Sequence, residues 1–158
     1  MAEIEGNDKR GFHTTAGEHL VLGELLKRHI EAYLAIGPSN ASWDIAAVTA
    51  CGERRVRVQV KAIEWPRLTA IQLKPTTDFD VLVIVLLNSP DLSEYLIIPK
   101  HELPRVMKEN PKMRGTGEHQ VTTLNVSPSY AEKSSPPFAV YKDAWHHIAR
   151  YSPANQQS

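Results

Sequence analysis

The sequence contains a single cysteine, Cys51, and this scarcity excludes an internal disulfide. It also lacks an apolar run of the ~20 residues that a membrane-spanning helix needs, since the apolar stretch at 81–87 is far too short. The first ten residues are polar and of mixed charge, so they do not resemble a secretory signal. Together these absences predict a cytoplasmic protein with no membrane partner.

The signatures of several enzyme classes are missing as well. The seven histidines and the cysteine show no zinc-ligand spacing, and there is neither a glycine-rich phosphate loop nor a Gly-x-Ser-x-Gly nucleophile motif. The 18 basic residues balance the 18 acidic ones, which argues mildly against strong non-specific DNA binding. A length of 158 residues, 42% of them hydrophobic, suits one domain with a sizeable core.

The clearest pattern that is present lies in the segment 54–61, RRVRVQVK. From its second residue onward, polar and apolar residues alternate with the period of a β-strand. We therefore expect Arg55, Arg57, Gln59 and Lys61 on one face of this strand, and the three intervening valines on the other.

The preceding segment 43–50, WDIAAVTA, predicts a second strand. Gly52-Glu53 suits a two-residue hairpin turn with glycine at its first central position. That turn would place Asp44 opposite Lys61, with Gln59 as the diagonal neighbour and opposed Cβ atoms roughly 5 Å apart. Such a group can hold a divalent metal against a phosphodiester. The alternative is a cross-strand ion pair between Asp44 and Lys61 on a solvated face.

A helix is predicted from about 15 to 29, and Glu18 lies on its buried stripe, four residues before Leu22. A carboxylate on the core side of a helix needs a partner. Two interpretations stay open: Glu18 joins the site on the hairpin, or it forms a capping box with Thr15 at the start of the helix.

The hairpin also predicts a basic patch. Arg55 and Arg57 share the predicted face of Lys61, and they either contact DNA or form a solvated strand face. His13 and His19 flank the start of the Glu18 helix and either approach the substrate or lie on the surface.

Three sequence segments follow one another along the chain: GEHLVLGELL at 17–26, WDIAAV at 43–48 and VQVK at 58–61. This combination resembles the PD-(D/E)xK nuclease superfamily, which includes restriction endonucleases and archaeal Holliday junction resolvases. It is similar above all to small stand-alone bacterial members with a QxK motif. The resemblance covers roughly residues 11–100. It implies an α/β fold with a restriction endonuclease-like core, in which helices flank a mixed central sheet.

The resemblance also implies roles for four residues and a cofactor. Asp44 would be the central ligand of Mg²⁺ or Mn²⁺, Gln59 would take the ligand position usually held by an acid, and Glu18 would complete the site. Lys61 would steady the attacking water or the charge that develops on the phosphate. The implied activity is metal-dependent endonucleolytic hydrolysis of DNA, with a homodimer as one arrangement for cutting two strands.

The neutral amide of Gln59 departs from the superfamily pattern and weakens the expected metal site. A catalytically inactive nuclease-fold protein that binds nucleic acid or another protein is therefore the alternative. A structural subunit, whose partner covers the face with Arg55 and Arg57, is a third interpretation.

The coarse organisation predicts a flexible N-terminus at 1–13, one nuclease-like domain at 14–151 and a disordered tail at 152–158. Within the domain we expect a strand at 31–36, the hairpin at 43–63, a connector at 65–77, a fully buried strand at 79–87, a strand at 94–98, a short helix at 99–109, a loop at 110–118, a strand at 119–126, a loop at 130–138, and a last helix with Asp143 as its N-cap and its end at Arg150.

Overall fold

A computed structural model of the chain describes residues 6–36, 42–74, 77–89, 92–107, 112–114, 121–128 and 138–153. The helices are α1 (Gly6–Lys27), α2 (Leu103–Met107) and α3 (His146–Ala149). The strands are β1 (Ala32–Leu34), β2 (Ile45–Val48), β3 (Arg55–Ile63), β4 (Ala70–Leu73), β5 (Val81–Ser89), β6 (Leu92–Pro99), β7 (Lys112–Arg114) and β8 (Val121–Asn125). Short 3₁₀ turns occupy Lys100–Glu102 and Phe138–Tyr141.

The strands form two sheets. The larger has the order β1-β2-β3-β5-β6, in which β3 and β5 run parallel and the other pairs run antiparallel. The smaller has the order β4-β8-β7 and is antiparallel throughout. The predicted mixed sheet flanked by helices is confirmed.

Strand β5 lies at the centre of the protein, and its residues 81–86 are at most 4% exposed. Its valines face a core shared with α1 and α3, whereas Leu82, Ile84 and Leu86 face a second core under the smaller sheet and α2. Burial on both faces is what a continuous apolar run requires, so the prediction of a fully buried central strand is confirmed.

Four local predictions were wrong. Helix α1 begins at Gly6 rather than near residue 15, because a helix that is nucleated against a sheet extends at low cost through polar residues. The predicted connector 65–77 contains β4, and the predicted loop 110–118 contains β7, since both strands pair with β8 far along the chain. Asp143 does not cap the last helix: its φ is +50°, and the helix starts at His146.

The predicted division into a flexible 1–13, a domain and a tail at 152–158 stays a prediction. Residues 1–5 and 154–158 lie outside the described residues, as does nearly all of the predicted loop 130–138. None of the helices in the part of the chain that the structure describes is long and apolar enough to cross a bilayer.

Candidate active site

The loop between β2 and β3 has four residues, not the predicted two. The N–H of Thr49 donates to the carbonyl oxygen of Arg54 at 2.9 Å, which leaves 50–53 as the loop. Gly52 has a φ of +72° there, a conformation that glycine adopts without strain. The loop therefore does not set the register that the sequence suggested.

The longer loop shifts the pairing by two positions. Ile45 pairs with Val58, so Asp44 lies beside Gln59, and Lys61 becomes the diagonal neighbour. Because strand side chains alternate with period two, an even shift keeps every residue on its predicted face. The predicted grouping is retained, although the predicted opposition of Asp44 and Lys61 was wrong.

Asp44 immediately precedes β2, whose pairing with β3 ends at Ile45 and Val58. Its backbone and its carboxylate continue the contact with β3 beyond that pair. Its N–H donates to the carbonyl of Val58 at 2.8 Å. Its Oδ2 accepts hydrogen bonds from the N–H of Val60 at 2.7 Å and from Nε2 of Gln59 at 2.5 Å. Its Oδ1 and the side-chain amide oxygen Oε1 of Gln59 accept no hydrogen bond from the described residues. These two oxygens are therefore the ones left to coordinate a cation.

Asp44, Gln59 and Lys61 line one cavity of about 350 Å³. The other described lining residues come from the smaller sheet and the segment after β4: Gln72, Leu73, Lys74, Thr77 and Val121. No ion pair joins Asp44 to Lys61, so the structure does not support the cross-strand ion pair that was the alternative for these two residues.

Helix α1 packs on the other face of β3, against Val60 and Ala62 rather than on the face of Gln59 and Lys61, and Gly17 sets the distance between helix and strand. A Cβ added at Gly17 would lie 2.5 Å from the Cβ of Ala62 and 3.6 Å from a side-chain carbon of Val60. Only glycine allows the helix so close to the strand. The close approach brings Glu18, the next residue of α1, towards the charges of the hairpin.

The Glu18 carboxyl is not a helix cap. Since α1 begins at Gly6, Thr15 lies well inside the helix, and the capping-box interpretation was wrong. Burial raises the pKa of Glu18, and the charge of Asp44 raises it further, whereas His19 and Lys61 oppose the shift. Within the described ranges the carboxylate has no hydrogen-bond partner. The charges of Asp44 and Lys61 thus both act on Glu18, although Glu18 is not among the described residues that line the cavity.

The pKa of Asp44 is also raised, because burial outweighs the hydrogen bond from Val60 and the charge of Lys61. Two partly buried carboxyls whose ionisation is disfavoured are the arrangement that a bound cation relieves. Their oxygens, together with the amide oxygen of Gln59, form a hard donor set that fits Mg²⁺ or Mn²⁺. The described residues include no cluster of three His, Cys, Asp or Glu side chains able to hold a metal.

The two arginines of the predicted basic patch differ in their surroundings. Arg55 is exposed. Arg57 donates to Asp80 through its backbone N–H at 2.8 Å, through Nε at 3.1 Å and through Nη2 at 2.9 Å, and it also pairs with Asp78. Burial alone would raise the pKa of Asp80, but the hydrogen bonds from Arg57 lower it overall. Arg57 therefore connects β3 to Asp80, the residue directly before β5, through these hydrogen bonds.

The two histidines of α1 have local partners. Nε2 of His13 lies 3.5 Å from a carboxylate oxygen of Glu64, directly after β3. Nδ1 of His19 lies 2.9 Å from the carbonyl oxygen of Thr15. Neither residue lines the cavity.

Two residues that were not predicted for the site, Gln72 of β4 and Lys74 directly after it, also line the cavity. The signal was present in 70–74, AIQLK, where polar and apolar residues alternate from Ile71 onward. The structure buries Ile71 and Leu73, as this alternation requires.

Scans of the sequence against family models and against curated proteins find no match. Among solved structures, the bacterial homing endonuclease I-Ssp6803I is similar over 93% of this chain and 97% of its own, with a TM-score of 0.57 and 17% sequence identity. The chain has a restriction endonuclease-like fold. A Holliday junction resolvase from Archaeoglobus fulgidus, Hjc, covers 74% of this chain and 85% of its own at 15% identity, with a TM-score of 0.47 that is too low to support the assignment.

Proposed function

We propose that the protein is a metal-dependent endonuclease that hydrolyses phosphodiester bonds in DNA. The observation that carries the proposal is the convergence of Asp44, Gln59 and Lys61 in one cavity. The charges of Asp44 and Lys61 also act on the Glu18 carboxyl. The fold, shared with a protein named as a homing endonuclease, supports the same conclusion.

Asp44 Oδ1, the side-chain amide oxygen of Gln59 and the Glu18 carboxylate would hold Mg²⁺ or Mn²⁺. When bound, the ion polarises the scissile phosphate and lowers the pKa of a coordinated water. With three protein ligands, the remaining positions are open to water and phosphate oxygens, as Mg²⁺ prefers.

The protein groups contribute orientation and charge. The hydrogen bond from Nε2 of Gln59 fixes the orientation of the Asp44 carboxylate. Lys61 forms no ion pair among the described residues, so its ammonium is available to donate to phosphate oxygens. A positioned cation of this kind stabilises the charge that builds during hydrolysis.

The direct test is a cleavage assay over single-stranded, duplex and branched DNA, with Mg²⁺, Mn²⁺ or EDTA. We expect at least one DNA form to be cut in Mg²⁺ or Mn²⁺ and none in EDTA. Lys61→Ala should lose roughly a hundredfold or more in rate, whereas Lys142→Ala, an exposed lysine paired with Glu94, should retain activity. Absence of cleavage under every condition would contradict the proposal.

One observation favours the alternative, an inactive nuclease-fold module that binds nucleic acid or a protein. Oδ2 of Asp44 is already satisfied by two N–H donors, one of them from the neutral Gln59, so this part of the site is stable without a metal. The two functions separate in one comparison: a binding module retains DNA in EDTA and in Mg²⁺ but cuts it in neither. DNA as partner and a homodimeric assembly are parts of the same proposal, and sedimentation with and without DNA tests the latter.

A further inference from the structure

The smaller sheet brings a second lysine to the cavity. Lys74 directly follows β4 and lines the cavity together with Lys61 of β3. The charged side chains among the described lining residues are Asp44, Lys61 and Lys74, so cations outnumber anions. A concave site with net positive charge favours an anionic ligand.

The backbone of Lys74 is held in place. Its carbonyl oxygen accepts hydrogen bonds from Oγ1 of Thr77 at 2.7 Å and from the N–H of Thr77 at 3.2 Å. Nζ of Lys100, at the end of β6, donates to the carbonyl of Thr77 at 3.1 Å. Leu73, the preceding residue, is buried in the second core. These contacts tie Lys74 to the large sheet from both sides, so its position relative to Lys61 is set by the fold.

The ammonium of Lys74 has no ion-pair or hydrogen-bond partner in the described parts of the chain. Among the neutral polar side chains that line the cavity with it, the amide of Gln72 supplies a further hydrogen-bond donor, whereas Nε2 of Gln59 and Oγ1 of Thr77 already donate to Asp44 and to the carbonyl of Lys74. A tetrahedral oxyanion with several acceptor atoms fits this set, and a neutral ligand would leave both lysines unpaired.

Resting on the proposed nuclease function, we propose that Lys74 is a second phosphate-binding residue of the cavity. It holds a backbone phosphate of the bound DNA on the β4 side, while Lys61 faces the phosphate that is hydrolysed. The ligand class is a phosphodiester within a nucleic acid strand, and inorganic phosphate shares its chemistry.

Affinity for a fluorescent DNA duplex, measured by anisotropy in EDTA from 50 to 250 mM KCl, tests this role without strand cleavage. We expect Lys74→Gln to weaken binding roughly tenfold, the loss typical of a hydrogen bond to a charged group. The slope of log K against log salt should fall by about 0.9, the value for one phosphate contact. Lys74→Arg should retain both, and Lys142→Gln serves as the matched surface control.

Unchanged affinity and salt slope in Lys74→Gln would overturn the inference. Calorimetry with inorganic phosphate distinguishes a DNA phosphate from free phosphate as the source of the anion. We expect wild type and Lys74→Gln to give the same heat with inorganic phosphate. If wild type binds inorganic phosphate while DNA affinity does not depend on Lys74, the assignment is contradicted. In Mg²⁺, Lys74→Gln should raise KM while kcat stays within about twofold, the pattern of uniform binding. If the wild type binds DNA through Lys74 but never cuts it, the endonuclease proposal fails and this one stands.

Discussion

The contact between Gly17 and Ala62 makes a sharp prediction about stability. In Gly17→Ala the new Cβ would lie 2.5 Å from the Cβ of Ala62, whereas carbon atoms pack at ~3.5–4.0 Å. The helix must therefore move away from β3 by about 1 Å. The same substitution at Gly23, on the exposed side of α1, meets no atom within 4 Å. Two glycines of one helix thus provide a matched pair.

The magnitudes follow from opposing effects. Replacing glycine by alanine inside a helix gains about 1 kcal/mol of propensity at either position. Overpacking costs about 1–3 kcal/mol, and it applies at Gly17 alone. We expect Gly23→Ala to be more stable than wild type by about 1 kcal/mol and Gly17→Ala to be less stable than Gly23→Ala by about 1–3 kcal/mol. For a chain of this size each kcal/mol corresponds to roughly 2–4 °C in Tm.

Urea denaturation of wild type, both single variants and Gly17→Ala combined with Ala62→Gly measures these free energies. The double variant removes the methyl group that opposes the new Cβ. Its free energy of unfolding should therefore be higher than the value obtained by adding the separate effects of Gly17→Ala and Ala62→Gly. Equal stabilisation by Gly17→Ala and Gly23→Ala would refute the close packing of α1 on β3. A displaced α1 also carries Glu18 away from Asp44, and a shift of 1 Å at a reacting centre can cost about a hundredfold in rate. We therefore expect Gly17→Ala, but not Gly23→Ala, to lose activity.

Other substitutions test the charges of the site and its support. Glu18→Gln should lower the affinity for Mg²⁺ or Mn²⁺ measured by calorimetry, and an unchanged titration would end its role as a ligand. Gln59→Glu should raise that affinity, but it should also lower the melting temperature of the metal-free protein, because it replaces the hydrogen bond to Asp44 with a repulsion; unchanged affinity would show that Gln59 does not face the metal. Asp80→Asn should cost about 2 kcal/mol at pH 7, since it breaks the pairing with Arg57. Because folding lowers the pKa of Asp80, its stabilisation is present above its unfolded pKa of about 3.9 and is lost as pH falls through the folded pKa. The difference in free energy of unfolding between wild type and Asp80→Asn should therefore become smaller at acidic pH, and a difference independent of pH would contradict this assignment.

The sequence predicted the faces of the hairpin but not its register. The alternation in 54–61 set which side chains share a face, and this information is local. The loop length was not readable from Gly52-Glu53, and the error was harmless to the site only because the shift was even. Glu18 was predicted on the buried stripe of its helix, whereas its capping role failed because the start of α1 was misplaced.

The second wall of the cavity was not predicted, for a physical reason. Strand β4 is short, follows Pro66 and is held by pairing with β8, about 50 residues further along the chain. The alternation in 71–74 covers only four residues, which is too short to predict a strand by itself, and the distant partner β8 cannot be read from so short a window. The close approach at Gly17 was likewise invisible, because it depends on which helix face meets Ala62.

The most direct test of the account is the single-turnover rate of DNA cleavage as a function of Mg²⁺ concentration, for wild type and Lys61→Ala. We expect no cleavage in EDTA, a rate that rises to a plateau with Mg²⁺, and a plateau roughly a hundredfold lower in Lys61→Ala. Cleavage that persists in EDTA, or a Lys61→Ala plateau equal to that of wild type, would contradict it.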